Sequence, residues 1–249
     1  MKIGIIVAMR EEFLAVSACF GTSASEILGS FKVRRFSKVE AEFILIESGF
    51  GFNNAAMAAE VLIHDERPDL LISAGFCGAI SEGLEVGDVV LAEQIVISDG
   101  KGVADVPILL SDIGAGLVTS QPGPDRQIVT GTFVSTSVIT KKKLLATILA
   151  GCYRNPVVEM ESGAIAIVAV ENNIPMLAIR AVSDASTEEL DFSIEEFCDA
   201  DLRHVIPHKV MMTIIKKPRL IPQLIRLSRN SRKAAGSITS ELTHLFSQF

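Results

Sequence analysis

The chain of 249 residues is 49% hydrophobic, enough to bury one large core. Its formal net charge of −7 and pI near 5.2 speak against general nucleic-acid binding. No stretch approaches the ~20 uninterrupted apolar residues of a spanning helix. In chain order, residues 3–8 form a short apolar run fit for a strand buried on both faces. They follow a single lysine and read as a strand, not as a signal peptide. Arg10, Glu11 and Glu12 open a helix expected to reach about Phe20, and its first-turn acids suit the helix dipole. Residues 31–36 and 41–47 read as strands, after which Gly49 and Gly51 mark a tight turn into a helix over 54–64. A buried strand is predicted over 69–74, with Gly75-Phe76-Cys77-Gly78-Ala79 as a glycine-rich turn at its carboxyl end. A strand over 89–97, loop with at most one strand over 98–124, and a strand over 127–131 come next. A helix over 141–150 follows, capped by Thr140. A strand at 156–158, a helix at 161–170 and a strand at 174–182 make a crossover whose strands are predicted to be parallel neighbours. A short acidic helix over 192–200 and a terminal helix over 230–246 complete the chain. The alternation predicts an α/β fold, a central mixed or mostly parallel β-sheet flanked by helices. With no linker-like stretch, one domain is expected over 1–249.

The cysteines Cys19, Cys77, Cys152 and Cys198 show neither close pairs nor metal-ligand spacing, and no histidine shares a ligand pattern with them. The expectation is a reducing cytoplasm, no metal and no cofactor. Cys77 has no histidine placed by sequence to activate it. Gly75–Gly78 lacks the spacing of a phosphate or dinucleotide fingerprint.

The charged residues of the crossover stand out against its apolar background. Glu159 and Glu161 fall where its first strand gives way to the helix; Arg180 and Asp184 lie along or just past the second strand. Ligands of open α/β sheets bind at the carboxyl ends of strands, so these groups are placed to converge on one small molecule. Blander readings exist for each: the acids by the helix dipole, Ser183-Asp184 by a cap, Arg180 by an ion pair.

Val158-Glu159-Met160-Glu161 and Arg180-Ala181-Val182-Ser183-Asp184 resemble the 5′-methylthioadenosine/S-adenosylhomocysteine nucleosidases and the related nucleoside phosphorylases. Residues 1–12, the Ser-Gly-Xaa-Gly turn at 48–51 and the segment 68–90 agree in the same order. The resemblance covers nearly all of 1–198, weakens over 99–132 and fails over 198–229. It implies a nucleoside phosphorylase-like fold, a homodimer or larger oligomer, and cleavage of a purine N-glycosidic bond. That chemistry needs a protonated leaving base, support for oxocarbenium character and an oxygen nucleophile. By resemblance Asp184 is the general acid toward N7 of the base, oriented by Ser183. Glu161 takes the ribose hydroxyls with Met160 against the sugar, while Glu159 either assists or faces solvent. Glu12 positions or deprotonates the attacking water beside Arg180. Phe133 or Val134 belongs to the purine-stacking segment, and both are equally ordinary core. Ser73 and Phe76 stand where the hexameric phosphorylases carry an arginine and a serine on phosphate. Phosphate recognition wants fixed donors, and Phe76 supplies none, so water is the expected nucleophile. The nucleosidases keep a serine at that position too, and 99–132 lacks their base-covering loop, which leaves the 5′ substituent and base open. Phosphorolysis and a non-catalytic nucleoside-binding protein are the alternatives.

Where the resemblance lapses, a basic-apolar insertion is expected at about 199–229. Between Arg203 and Lys233 lie Lys209, Lys216, Lys217, Arg219, Arg226, Arg229 and Arg232, interleaved with apolar residues and without one acid. A packed helix pair, a subunit contact, and a face for an anionic membrane or an amphiphilic substrate all fit. In character the segment resembles that of hopanoid-associated members of the superfamily, which act on an adenosyl lipid.

Overall fold

The computed structural model describes residues 1–114, 127–138, 140–189, 196–203 and 205–249. Runs of β-branched and other apolar residues become its strands. These are β1 (Lys2–Val7), β2 (Glu26–Leu28), β3 (Phe31–Ser37), β4 (Glu42–Glu47), β5 (Leu70–Ala79), β6 (Val89–Ser98), β7 (Val103–Asp105), β8 (Ile128–Thr136), β9 (Val157–Glu159) and β10 (Met176–Asp184). The helices are α1 (Arg10–Ser17), α2 (Phe52–Glu66), α3 (Lys142–Leu149), α4 (Ser162–Glu171), α5 (Pro207–Lys216) and α6 (Ile221–Phe246).

β5 is the axis of the sheet. It pairs in parallel with β1 over Leu70–Ser73 and with β10 along most of its length. From β10 the pairing passes antiparallel to β6, then parallel to β8 and β9, and β9 returns antiparallel to β5 at Gly78 and Ala79. These five strands close a ring that leaves none of them an open edge. β4, β3 and β2 extend from β1 as an open wing. Helices cover both faces. α2 and α4 bury Ala55, Ala58, Leu62, Ala164 and Ile165 on one side, while α1 and α6 bury Phe13, Val16, Ile238 and Leu242 on the other. The fold is single-domain α/β with a mixed sheet between helix layers, as the alternating pattern implied.

Several boundaries differ from the sequence reading. β9 and β10 are not neighbours, because β5 lies between them. A strand–helix–strand pattern states which strands are connected, not which pair, and β9 has only three residues with which to choose. Gly75–Ala79 is not a turn, since β5 runs through it with every residue buried. β8 extends to Thr136, so Phe133 and Val134 are strand residues. Thr140 does not cap α3; its hydroxyl donates to the Val138 carbonyl. α6 starts at Ile221, with Pro222 in its first turn, where a missing N–H costs nothing. Of the acidic helix expected over 192–200, residues 192–195 lie outside the described residues. Beyond them Cys198 forms an isolated bridge with Val205.

Candidate active site

Two glycines on β5 make the site possible. A Cβ on Gly78 would stand 2.6 Å from Asp184 Oδ2, and one on Gly75 would overlap the Glu12 carboxylate. Only a residue without a side chain lets carboxylates lie this close to a buried strand. β10 sets Arg180 opposite Gly75 and Asp184 opposite Gly78, with a bulge between Val182 and Asp184. Such a bulge re-aims the end of a strand.

Glu12, third residue of α1, is buried. Its Oε2 accepts the N–H groups of Ala8 (2.9 Å) and Met9 (3.0 Å), and Oε1 accepts that of Phe76 (2.7 Å). Burial pushes its pKa up, against the pull of Arg180 and those N–H groups. Glu161 precedes the first turn of α4, and its Oε1 accepts the Gly51 N–H at 2.9 Å. Gly51 presents that group at φ +88°, in the left-handed region. Burial, and then the neighbouring Glu159, raise the Glu161 pKa to about 7, with Arg180 opposing. The half-buried Met160 lies against the same turn.

Glu159 does not face solvent. Its Oε2 accepts the N–H groups of Glu161 (3.0 Å) and Ser162 (2.8 Å) and Arg180 Nη2 (2.9 Å), while Oε1 accepts the Ser135 hydroxyl. It therefore caps α4 and anchors the arginine. Arg180 Nη2 also donates to the Ser73 hydroxyl at 3.0 Å and stands 3.8 Å from Glu161 Oε2. Ser73 in turn shares a hydrogen bond with Ser162 at 3.0 Å. Arg180 Nε is buried without a hydrogen-bond partner among the described residues.

At the end of β10, the Ser183 hydroxyl donates to Asp184 Oδ1 at 2.7 Å. Asp184 Oδ2 is ion-paired with Lys142, whose ammonium also donates to the carbonyls of Asp184 (3.2 Å) and Ala185 (2.7 Å). The lysine is only 5% exposed. Sequence reasoning missed it because it is the middle of three consecutive lysines. The signal was its phase: Lys142, Leu145 and Leu149 share one helical stripe, and all three are buried.

The aromatic and aliphatic candidates sit deeper. Phe76 packs with Phe13 and Ile72 in the core beneath α1. Phe133 is wholly buried, with the Arg180 guanidinium 6.0 Å from its ring centre. Val134 is wholly buried among Leu145, Leu149 and Val96. Among the described residues no group of histidine, cysteine and acid side chains could hold a metal ion.

Carboxylates at Glu12, Glu161 and Asp184, an arginine and a lysine thus lie along the carboxyl halves of β5 and β10, an array suited to proton transfer and to holding a polar, hydroxyl-bearing molecule. The fold and site are those of an α/β protein built for acid–base chemistry. The model of the Phosphorylase superfamily matches residues 2–205, and the chain belongs to that family. It is 32% identical over 236 residues to a 5′-methylthioadenosine/S-adenosylhomocysteine nucleosidase of Geobacillus kaustophilus, covering 88% of this chain and all of the relative. The solved 5′-methylthioadenosine/S-adenosylhomocysteine nucleosidase of Helicobacter pylori superimposes with a TM-score of 0.74 at 18% identity, covering 100% of this chain and 99% of that one. A futalosine hydrolase mutant from the same organism gives a TM-score of 0.73 at 16% identity, covering 100% of both chains. At such identities these likenesses speak for the fold.

Proposed function

We propose that the protein is an N-glycosidase that hydrolyses the glycosidic bond of an adenosine-type purine nucleoside. The observation that carries this reading is the convergence of Glu12, Glu161 and Arg180 with the Lys142–Asp184 pair on the carboxyl halves of β5 and β10. Each has a task in the reaction. Glu161, when ionised, takes ribose hydroxyl protons, and its charge supports a cationic sugar. Glu12 has its proton affinity raised by burial, which suits a base for the attacking water. Arg180, whose Nη2 stands 3.8 Å from Glu161 Oε2, holds that carboxylate in place beside the sugar.

As the bond from C1′ to N9 breaks, its electron pair leaves with the base and water oxygen bonds to C1′. One water proton passes to Glu12, and the base gains a proton at N7. That proton comes from the Lys142–Asp184 pair. Lys142 is in contact with Asp184 Oδ2, so a proton leaving the pair for N7 passes through Asp184. Ser183, on the other carboxylate oxygen, fixes the relay's direction.

Water is the nucleophile because the phosphate-binding groups are absent or engaged. Phe76 offers no side-chain donor, and the Ser73 hydroxyl is occupied by Arg180 and Ser162. Purified protein incubated with a panel of purine nucleosides, with and without phosphate, tests this. Free sugar should form at equal rates in both arms. Strict phosphate dependence and a sugar 1-phosphate would establish phosphorolysis instead; binding without turnover would make the protein a nucleoside binder.

A second reading, a lipid-linked adenosyl nucleoside as substrate, is favoured by one contact. The Phe50 N–H, in the turn that carries Gly51, donates to the Leu202 carbonyl at 2.8 Å, so the sugar side of the site adjoins the segment leading into the basic-apolar helices. The same panel extended to adenosine bearing a 5′ alkyl chain decides between them.

A further inference from the structure

A helix on a soluble body ordinarily turns its apolar stripe inward. α5 does the reverse. Met211, Met212 and Ile215 share one side of the helix and are 64%, 50% and 68% exposed, while Thr213 is buried. After the short 3-10 turn Pro218–Leu220, Ile221 and Ile225 stand one turn apart at the start of α6 and are 40% and 65% exposed. These side chains are not needed to anchor the segment. That is done from inside by Leu220, Val210, Leu224 and Leu227 against Phe197.

Cations surround the exposed stripe. Lys217 pairs with Glu196 at 2.8 Å and Arg226 with Glu188 at 3.0 Å. Lys216, Arg219 and Arg229 are exposed and have no ion pair among the described residues. No acid occurs from Arg203 through Lys233, although the whole chain carries a net charge of −7.

We propose that this face docks the protein on an anionic lipid bilayer. Met211, Met212, Ile215, Ile221 and Ile225 enter the boundary between headgroups and acyl chains, and the free cations engage lipid phosphates. Charge selects the occupant. A symmetric contact with a second copy would set the same unpaired cations against one another, which like-charge repulsion disfavours. A bilayer of net negative charge attracts the cations and accepts the apolar stripe together. The segment also leads directly from the Leu202–Phe50 contact, so docking would bring the sugar side of the site close to the membrane. The proposal stands whether or not the protein is a hydrolase, because its test reads binding rather than turnover.

The test is sedimentation of the full chain with phosphatidylcholine vesicles, with and without phosphatidylglycerol, at low and high salt. The wild type should sediment with the anionic vesicles at low salt, and high salt should release it. The variant Lys216→Gln/Arg219→Gln/Arg229→Gln should partition about 100-fold more weakly, since each cation near the surface contributes ~1 kcal/mol. The variant Met211→Ser/Ile215→Ser/Ile225→Ser should also bind at least ~10-fold more weakly, from lost apolar burial. All these positions are exposed, so both variants should keep the far-ultraviolet circular dichroism of the wild type. No sedimentation with anionic vesicles, or binding unchanged by both variants, overturns the proposal. So does a dimer, seen by light scattering, that the apolar variant dissolves while lipid binding is absent; the face is then a subunit contact.

Discussion

Asp184 is the residue on which the proposed chemistry turns, and Lys142 changes what it must do. Alone at a strand end, a carboxylate becomes a general acid by desolvation, which raises its proton affinity. Here it is in contact with a buried lysine. In the proposed relay the pair delivers its proton through Asp184 as negative charge develops on the departing purine. Asp184→Asn should then keep nucleoside binding but lower kcat by at least ~100-fold, the low end of general acid–base contributions. Lys142→Met should also lower kcat, by ~10-fold or more, and the loss should shrink with a nitrophenyl riboside, whose leaving group departs without a proton. Equal kcat for wild type and Lys142→Met on both substrates would reduce the lysine to a spacer. Either variant could be read at two pH values to separate lost proton transfer from lost folding.

At the scale of the element, α6 shows how one helix serves two environments. Its distal half buries Ala234, Ile238, Leu242 and Leu245 in the core beneath the sheet, whereas Ile221 and Ile225 in its first turns are exposed. Leu242→Ala should cost about 2–5 kcal/mol, because the removed methyl groups leave a cavity the core cannot refill. Ile225→Ala should change stability by no more than about 0.5 kcal/mol. Urea unfolding of the two variants checks this, and equal losses would mean that the first turns of α6 are packed. Pro222 begins a helix, and so does Pro207, each at a first-turn position that needs no N–H donor.

For the whole molecule, the buried acids tie stability to pH. Glu161 titrates at about 7 in the folded protein, because burial and Glu159 oppose its charge, against an ordinary glutamate value of 4.5. Between those values the folded state holds a proton that the unfolded chain has released, so this group's contribution to stability falls as pH rises through the window and is level above it. Glu161→Gln removes the titration. The Tm of the variant relative to wild type should rise steadily from about pH 5 to about pH 7 and then stay constant. A difference independent of pH would show that Glu161 is ionised throughout. Nucleoside binding should move the opposite way in the wild type, tightening over the same interval as the carboxylate that takes the ribose hydroxyls becomes charged. The molecule is thus expected to give up some stability at the pH where it binds best.

The linear sequence by itself determined the class of fold and named most members of the candidate site. Short, largely apolar runs such as 3–8 and 69–74 favoured buried strands, and four motifs in order carried the resemblance to a nucleoside-cleaving family. Glu161, Arg180 and Asp184 were visible as charges against the apolar crossover, and Glu12 through the resemblance alone. Pairing and burial were decided only in three dimensions. Whether β10 sits beside β9 or β5 depends on hydrogen bonds between segments about a hundred residues apart, which no local pattern encodes. Gly75 and Gly78 looked like a turn because glycine has the same local signature in a turn and beneath a close-packed carboxylate. Glu159 could be told from a solvent-facing acid only once Ser135 and Arg180, from two other strands, had closed around it. Lys142 became a partner of Asp184 because α3 buries one lysine of three, and burial is a property of the assembled molecule rather than of any residue in the chain.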